Sequence, residues 1–206
     1  MSIWPPYEAF YIDSMLFSTS SSAVSVDAVA TTVEAMGRGE LARSDLDEDA
    51  FLNQLQNIVL QGAALSKFFW PIRKGKGHEA RGEHLRAAFG VTDASPLKDR
   101  SLRDALEHFD ERLDIYLQRN VVGYIIPRYV GRTLATDGVP AHLFRAYFLD
   151  RGVFSLLGKE YEMQPIVDEI GRIHDLLVTA NENGSRFPRP VDERSNEDDG
   201  SDPNAA

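Results

Sequence analysis

Arg103 and His108 are the two side chains whose types and spacing suit chemistry on a phosphate, and they bound the run Arg103-Asp104-Ala105-Leu106-Glu107-His108. A guanidinium is permanently charged, and its planar fork of donors matches phosphate oxygens. An imidazole titrates near pH 6.5 and can take or give a proton close to neutrality. Such a pair works without a metal, and no credible metal site or cofactor motif accompanies it. The chain has no cysteine, and His78 and His84, six residues apart, diverge on a helix. Gly75-Lys76-Gly77 lacks the order of a phosphate-binding P-loop.

The element that must position the pair is a predicted helix over about Leu97–Leu117. Leu102, Leu106, Phe109, Leu113, Tyr116 and Leu117 fall on one arc of it, and the opposite face is charged. On a regular helix Arg103 and His108 lie about 140° apart around the axis and about 7.5 Å apart along it. One copy of the helix therefore does not aim both at one phosphate. Asp104, Glu107, Asp110 and Glu111 crowd the pair, and a carboxylate beside a phosphate repels it unless Arg100, Arg103 or Arg112 neutralises the charge. The same residues also read as a solvated helix face on which Arg103 and Glu107 form an i,i+4 ion pair.

Arginine, a polar residue and then histidine after four intervening positions resembles the R-x4–6-H signature of HEPN domains (higher eukaryotes and prokaryotes nucleotide-binding). The likeness runs through Gln54–Pro71 (QLQNIVLQGAALSKFFWP), Arg81-Gly82, Leu85-Arg86 and Ser95–Asp114 (SPLKDRSLRDALEHFDERLD), about a third of the chain. These stretches are similar to uncharacterised bacterial helical proteins with HEPN-like motifs. The resemblance implies a helical bundle and a metal-independent endoribonuclease of bacterial defence or a toxin system. It implies that Arg103 stabilises the scissile phosphate, that His108 transfers protons as the ribose 2′-OH attacks, that Asp104 orients them and that Arg100 assists. It also implies a homodimer whose two motifs share one cleft. Asp104 departs from the asparagine frequent at that position. The alternative reading is a non-catalytic helical module that binds a protein partner, such as an antitoxin, through its charged helix.

A basic loop supplies further candidates for substrate binding. Residues 73–86 hold five bases (Arg73, Lys74, Lys76, Arg81, Arg86) against two acids, and Arg73, Lys74 and Lys76 suit RNA phosphates. Phe69 and Trp70 before Pro71 read as core at a helix end. Tyr124, Phe144, Tyr147 and Phe148 read as packing of a small sheet.

The rest of the chain supplies the scaffold. Residues 1–45 form an accessory helical segment: Tyr7, Phe10, Tyr11, Met15, Leu16 and Phe17 lie near helical spacing, Ser18–Ser22 breaks the pattern, and a second helix runs from about Val26 to Met36. Residues 46–182 form the bundle. Its helices run from about Asp47 to before Pro71, from Glu79 to Phe89 and from Met163 to Thr179. Between the last two, near 121–160, two or three strands make an antiparallel element with a hairpin turn at Asp150-Arg151-Gly152. The fold class is thus mainly α, a HEPN-like bundle with a small antiparallel β element before the last helix. Residues 183–206 read as a disordered tail, acidic over 190–206, where six acids face one base.

The formal net charge of −10 argues against non-specific coating of nucleic acid. With the tail carrying −5 of it, the body is only mildly acidic. No run approaches a membrane span and the N-terminus lacks the basic start of a signal peptide, so the expected location is the cytoplasm.

Overall fold

The computed structural model describes residues 3–119, 121–135 and 137–188, and within them the chain is mainly helical with a small sheet before the last helix. Six α-helices are present: α1 Pro5–Gly37, α2 Glu48–Phe69, α3 Lys76–Phe89, α4 Ser101–Glu107, α5 Phe109–Leu117 and α6 Gln164–Glu182. Strands β1 Tyr124–Gly131, β2 Ala141–Phe148, β3 Val153–Leu156 and β4 Lys159–Glu162 precede α6. No helix among the described residues is long and apolar enough to cross a membrane.

Local chemistry accounts for the ends of the central helices. Asp47 caps α2 by accepting the Ala50 amide at 2.9 Å, which satisfies one of the donors left open at a helix start. Gly90 closes α3 in the left-handed conformation at φ 61°, where glycine carries no side-chain penalty. At the end of α2 three guanidinium groups converge on free carbonyls. Arg81 donates to Lys67 O at 3.0 Å, Arg100 to Trp70 O at 3.2 Å, and Arg86 to Phe69 O. Cations at a helix C-terminus satisfy its orphan acceptors and complement its dipole.

Helix α1 differs from the expected accessory hairpin. It runs unbroken through Ser18–Ser22, packs along α2 and α6, and buries Ile12 and Met15 completely in the main core. Each serine costs a few tenths of a kcal/mol in helix propensity, but small side chains let three helices approach closely. Ser18, Thr19, Ser22 and Ser25 are all buried. Ser25 donates to Gln54 Oε1 at 2.7 Å and accepts from Asn57 Nδ2 at 2.8 Å. Thr19 meets His174 Nδ1 of α6 at 2.9 Å. Local sequence reads as a break where tertiary packing makes a polar seam.

The sheet also differs from expectation. It has four strands in the order β1-β2-β3-β4, and β1 pairs with β2 in parallel, so the element is mixed. The β2–β3 hairpin turns where the sequence indicates, with Gly152 at φ 64°. One face of the sheet joins the main core through Val130, Phe154 and Leu156, with Tyr147 against Phe51. The other carries a small cluster of Tyr129, Ala146, Phe148 and Val153.

The start of the predicted tail is ordered. Phe187 is buried against Phe89 and His84, its amide donates to Glu8 at 2.9 Å, and Arg186 donates to Pro5 O. Residues 183–188 therefore strap α1 to α3; the acidic stretch beyond them lies outside the described residues.

Candidate functional site

The segment carrying Arg103 and His108 is not one helix. A 3-10 turn at Pro96–Lys98 leads to α4, and His108, at φ −111° and ψ 37°, separates α4 from α5. Helix α4 buries Leu102 and Ala105 in the main core against α2, and Phe109 at the start of α5 packs at the margin of the same core under the Arg145 guanidinium at 3.6 Å. The chain bends between these two docking points.

Arg103 is committed within its own chain. Its side chain is only 13% exposed. The guanidinium donates to Asp104 through both Nε, at 2.9 Å, and Nη2, and Nε lies 3.4 Å from Glu107. The cleft it lines with Ser66, Leu97 and Ile166 holds about 30 Å³, room for a water rather than a phosphodiester. His108 is the opposite case, 58% exposed, its Nδ1 3.7 Å from Glu111. The Asp104 carboxylate binds Arg103, and among the described residues it makes no hydrogen bond to the His108 imidazole; only the Asp104 carbonyl meets His108, accepting its amide at 3.2 Å. Arg100, expected to assist at a phosphate, instead caps the end of α2.

The basic loop divides in the same way. Arg81 and Arg86 serve the α2 terminus, whereas Lys74 and Lys76 are exposed. Arg73 lines a shallow hollow of about 260 Å³ with Lys67, Ile72 and His78. Among the described residues, the hollow at Arg73 and the cleft at Arg103 are separate, and His108 lines neither.

The chain matches no protein-family model, no curated protein and no solved structure. The functional reading therefore rests on the surface itself, where the structure shows two features that residue types alone do not reveal.

The first lies along α1. Trp4, Tyr7, Phe10, Phe17 and Val24 are all more than half exposed, with Phe17 at 78%. Trp4 and Tyr7 meet edge to face at 5.0 Å, and Tyr7 and Phe10 follow at 6.5 Å. The helical spacing of Tyr7, Phe10, Tyr11, Met15, Leu16 and Phe17 is real, but it serves two faces: Met15 enters the core while Tyr7, Phe10 and Phe17 turn outward. The second is a hollow of about 310 Å³ between α5 and the β3–β4 turn, lined by Arg112, Arg119 and Lys159. Beside it, Tyr116 Oη lies 2.7 Å from His142 Nδ1, and His142 Nε2 lies 3.0 Å from Val122 O. A carbonyl can only accept, so Nε2 carries a proton; in the neutral imidazole the tyrosine hydroxyl then donates to Nδ1.

Proposed function

We propose that this protein is a non-catalytic helical interaction module, and that the exposed row on α1 receives an amphipathic helix of a partner protein with lysine or arginine along its flanks. The carrying observation is the row itself. At 150–250 Å² per fully covered aromatic, Trp4 to Val24 present on the order of 600 Å² of apolar surface, at the top of the range for ordinary monomers. Phe10, Phe17 and Val24 recur at heptad spacing, the register in which one helix lays its apolar residues along another.

Charge selects the occupant. Between Pro5 and Gly37, α1 carries Glu8, Asp13, Asp27 and Glu34 and no base. Asp13 and Asp27 each follow a row residue by three positions. A second copy laid on this face would oppose like charges in either direction, whereas a basic-flanked helix would complement them.

The test uses a synthetic amphipathic peptide of about 20 residues, long enough to span ~30 Å, with leucine at the apolar heptad positions and lysine beside them. Calorimetry should give micromolar binding to the full chain, weakened at least tenfold by Phe17→Glu and by exchanging the peptide lysines for glutamate. Sedimentation should show a monomer before peptide is added. Equal binding by Phe17→Glu, or a dimer that this substitution dissociates, overturns the reading.

Metal-independent RNA cleavage by a HEPN-like pair of copies is the second reading, and what favours it is His108, exposed at a helix break one turn before Arg112. It requires Arg103 to leave two carboxylates for a phosphate on the other copy. Asp104→Asn would loosen that hold. Under this reading, unstructured RNA with EDTA is cut to 2′,3′-cyclic ends, faster with Asp104→Asn and not at all with His108→Ala. RNA left intact by the wild type and by Asp104→Asn removes it.

A further inference from the structure

We infer that the hollow between α5 and the β3–β4 turn is a binding site for an organic phosphate that carries its charge on an apolar body. The inference concerns a different surface from the α1 row and does not depend on it. Arg112, Arg119 and Lys159 all line the hollow, and no carboxylate does. None of the three has an ion-pair partner among the described residues. Elsewhere in the described structure Arg38, Arg43, Arg103, Arg128, Arg151 and Arg172 are each engaged by a carboxylate. The acids immediately adjacent to these cations in sequence are engaged elsewhere: Glu160 is held by Arg151 through both oxygens, and Glu111 faces His108. In a chain of net charge −10, three uncompensated cations around one concavity are a local reversal of sign that attracts and retains an anion.

The remaining lining defines the ligand further. Ala105, Ile115, Leu156 and Leu157 supply apolar wall, so a bare inorganic anion would leave half the site unused. About 310 Å³ accommodates a phosphate with a ring-sized body. Leu157 stands at φ 49°, followed by Gly158 at φ 79°. The left-handed conformation is natural for the glycine and uncommon for a leucine, and two-residue hairpin turns of this kind favour asparagine or aspartate at that place. The turn bears this strain with a leucine that walls the cavity, and strain of this kind concentrates at binding sites.

The site is tested with the full chain and three probes: 1-naphthyl phosphate, inorganic pyrophosphate and uncharged 1-naphthol. Calorimetry at low salt should give binding of naphthyl phosphate below millimolar, at least fivefold tighter than pyrophosphate, with naphthol undetected and affinity falling as salt rises. Arg119→Ala and Lys159→Ala replace exposed side chains outside the core, and each should weaken binding about tenfold while the melting temperature in the absence of ligand stays unchanged. Arg73→Ala, in the other basic hollow, should leave the affinity as it is. The inference is overturned by an absence of binding at millimolar probe, by equal loss in Arg73→Ala, or by naphthol binding as well as its phosphate. A short single-stranded RNA that binds tenfold tighter than naphthyl phosphate at the same salt, and is lost in Arg119→Ala, would also overturn it by making the site a nucleic-acid contact.

Discussion

Two serines one turn apart on α1 should respond to the same substitution with opposite signs. Ser22 and Ser25 are both buried. The Ser25 hydroxyl donates to Gln54 and accepts from Asn57, whereas the Ser22 hydroxyl has no partner among the described residues. Removing a buried unsatisfied hydroxyl relieves about 1–3 kcal/mol, and alanine adds a few tenths in helix propensity. Ser22→Ala should therefore stabilise the fold by about 1–3 kcal/mol. Ser25→Ala strands the Gln54 oxygen and leaves Asn57 only its longer 3.3 Å bonds to Ser21, at about 1–3 kcal/mol less the same propensity gain, and should destabilise by about 0.5–2.5 kcal/mol. Urea denaturation reads both, as shifts of the midpoint at constant slope. At this size each kcal/mol moves the melting temperature by about 2–4 °C. Midpoints that move in the same direction would refute the claim that a hydrogen-bonded polar seam, rather than side-chain size alone, seats α1 on α2.

Three further substitutions probe the scaffold beneath the candidate sites. A Cβ at Gly82 would stand 2.6 Å from Phe69 O and 2.9 Å from Pro71, so Gly82→Ala should push α3 off α2 and cost about 1–3 kcal/mol in chemical denaturation. Burial works to raise the Glu169 carboxyl, but hydrogen bonds from Arg172 and Ser95 outweigh it and hold the group below its ordinary value of 4.5. Its contribution is thus complete above about pH 4.5 and lost as the pH falls through the lower folded-state value, and Glu169→Gln should flatten the acid limb of the stability curve measured by thermal melts. Arg103→Met keeps the buried stem and frees two carboxylates that are about two-fifths exposed, so it should cost no more than about 1 kcal/mol by urea denaturation.

Much of the scaffold was legible because local and tertiary signals agree there. Helices α2, α3 and α6 each present one apolar face at 3–4 spacing, with Asp47 and Gly90 marking ends. The β2–β3 turn carries its own signal in Asp150-Arg151-Gly152. Helix α1 was harder, because its serines satisfy a tertiary need that a local reading takes for a break. The parallel pairing of β1 with β2 leaves no turn signal, and in β4 only Tyr161 is buried among charged neighbours. At the candidate sites the Arg103–Glu107 ion pair was legible from its i,i+4 spacing, but the break at His108 has no local signal, and the Arg145 guanidinium that covers Phe109 beside it comes from a distant strand. Lys159 meets Arg112 and Arg119 only through the hairpin, a juxtaposition that no spacing along the chain encodes.

The most direct measurement of the account is the emission of Trp4, exposed beside Tyr7 at the head of the α1 row, in a Trp70→Phe background that removes the other indole. Titration with the lysine-flanked helical peptide should shift the emission to shorter wavelength and saturate at the calorimetric affinity, and Phe17→Glu should abolish the shift. An emission maximum that stays fixed while the peptide binds would contradict the account, because the bound helix would then lie somewhere other than on α1.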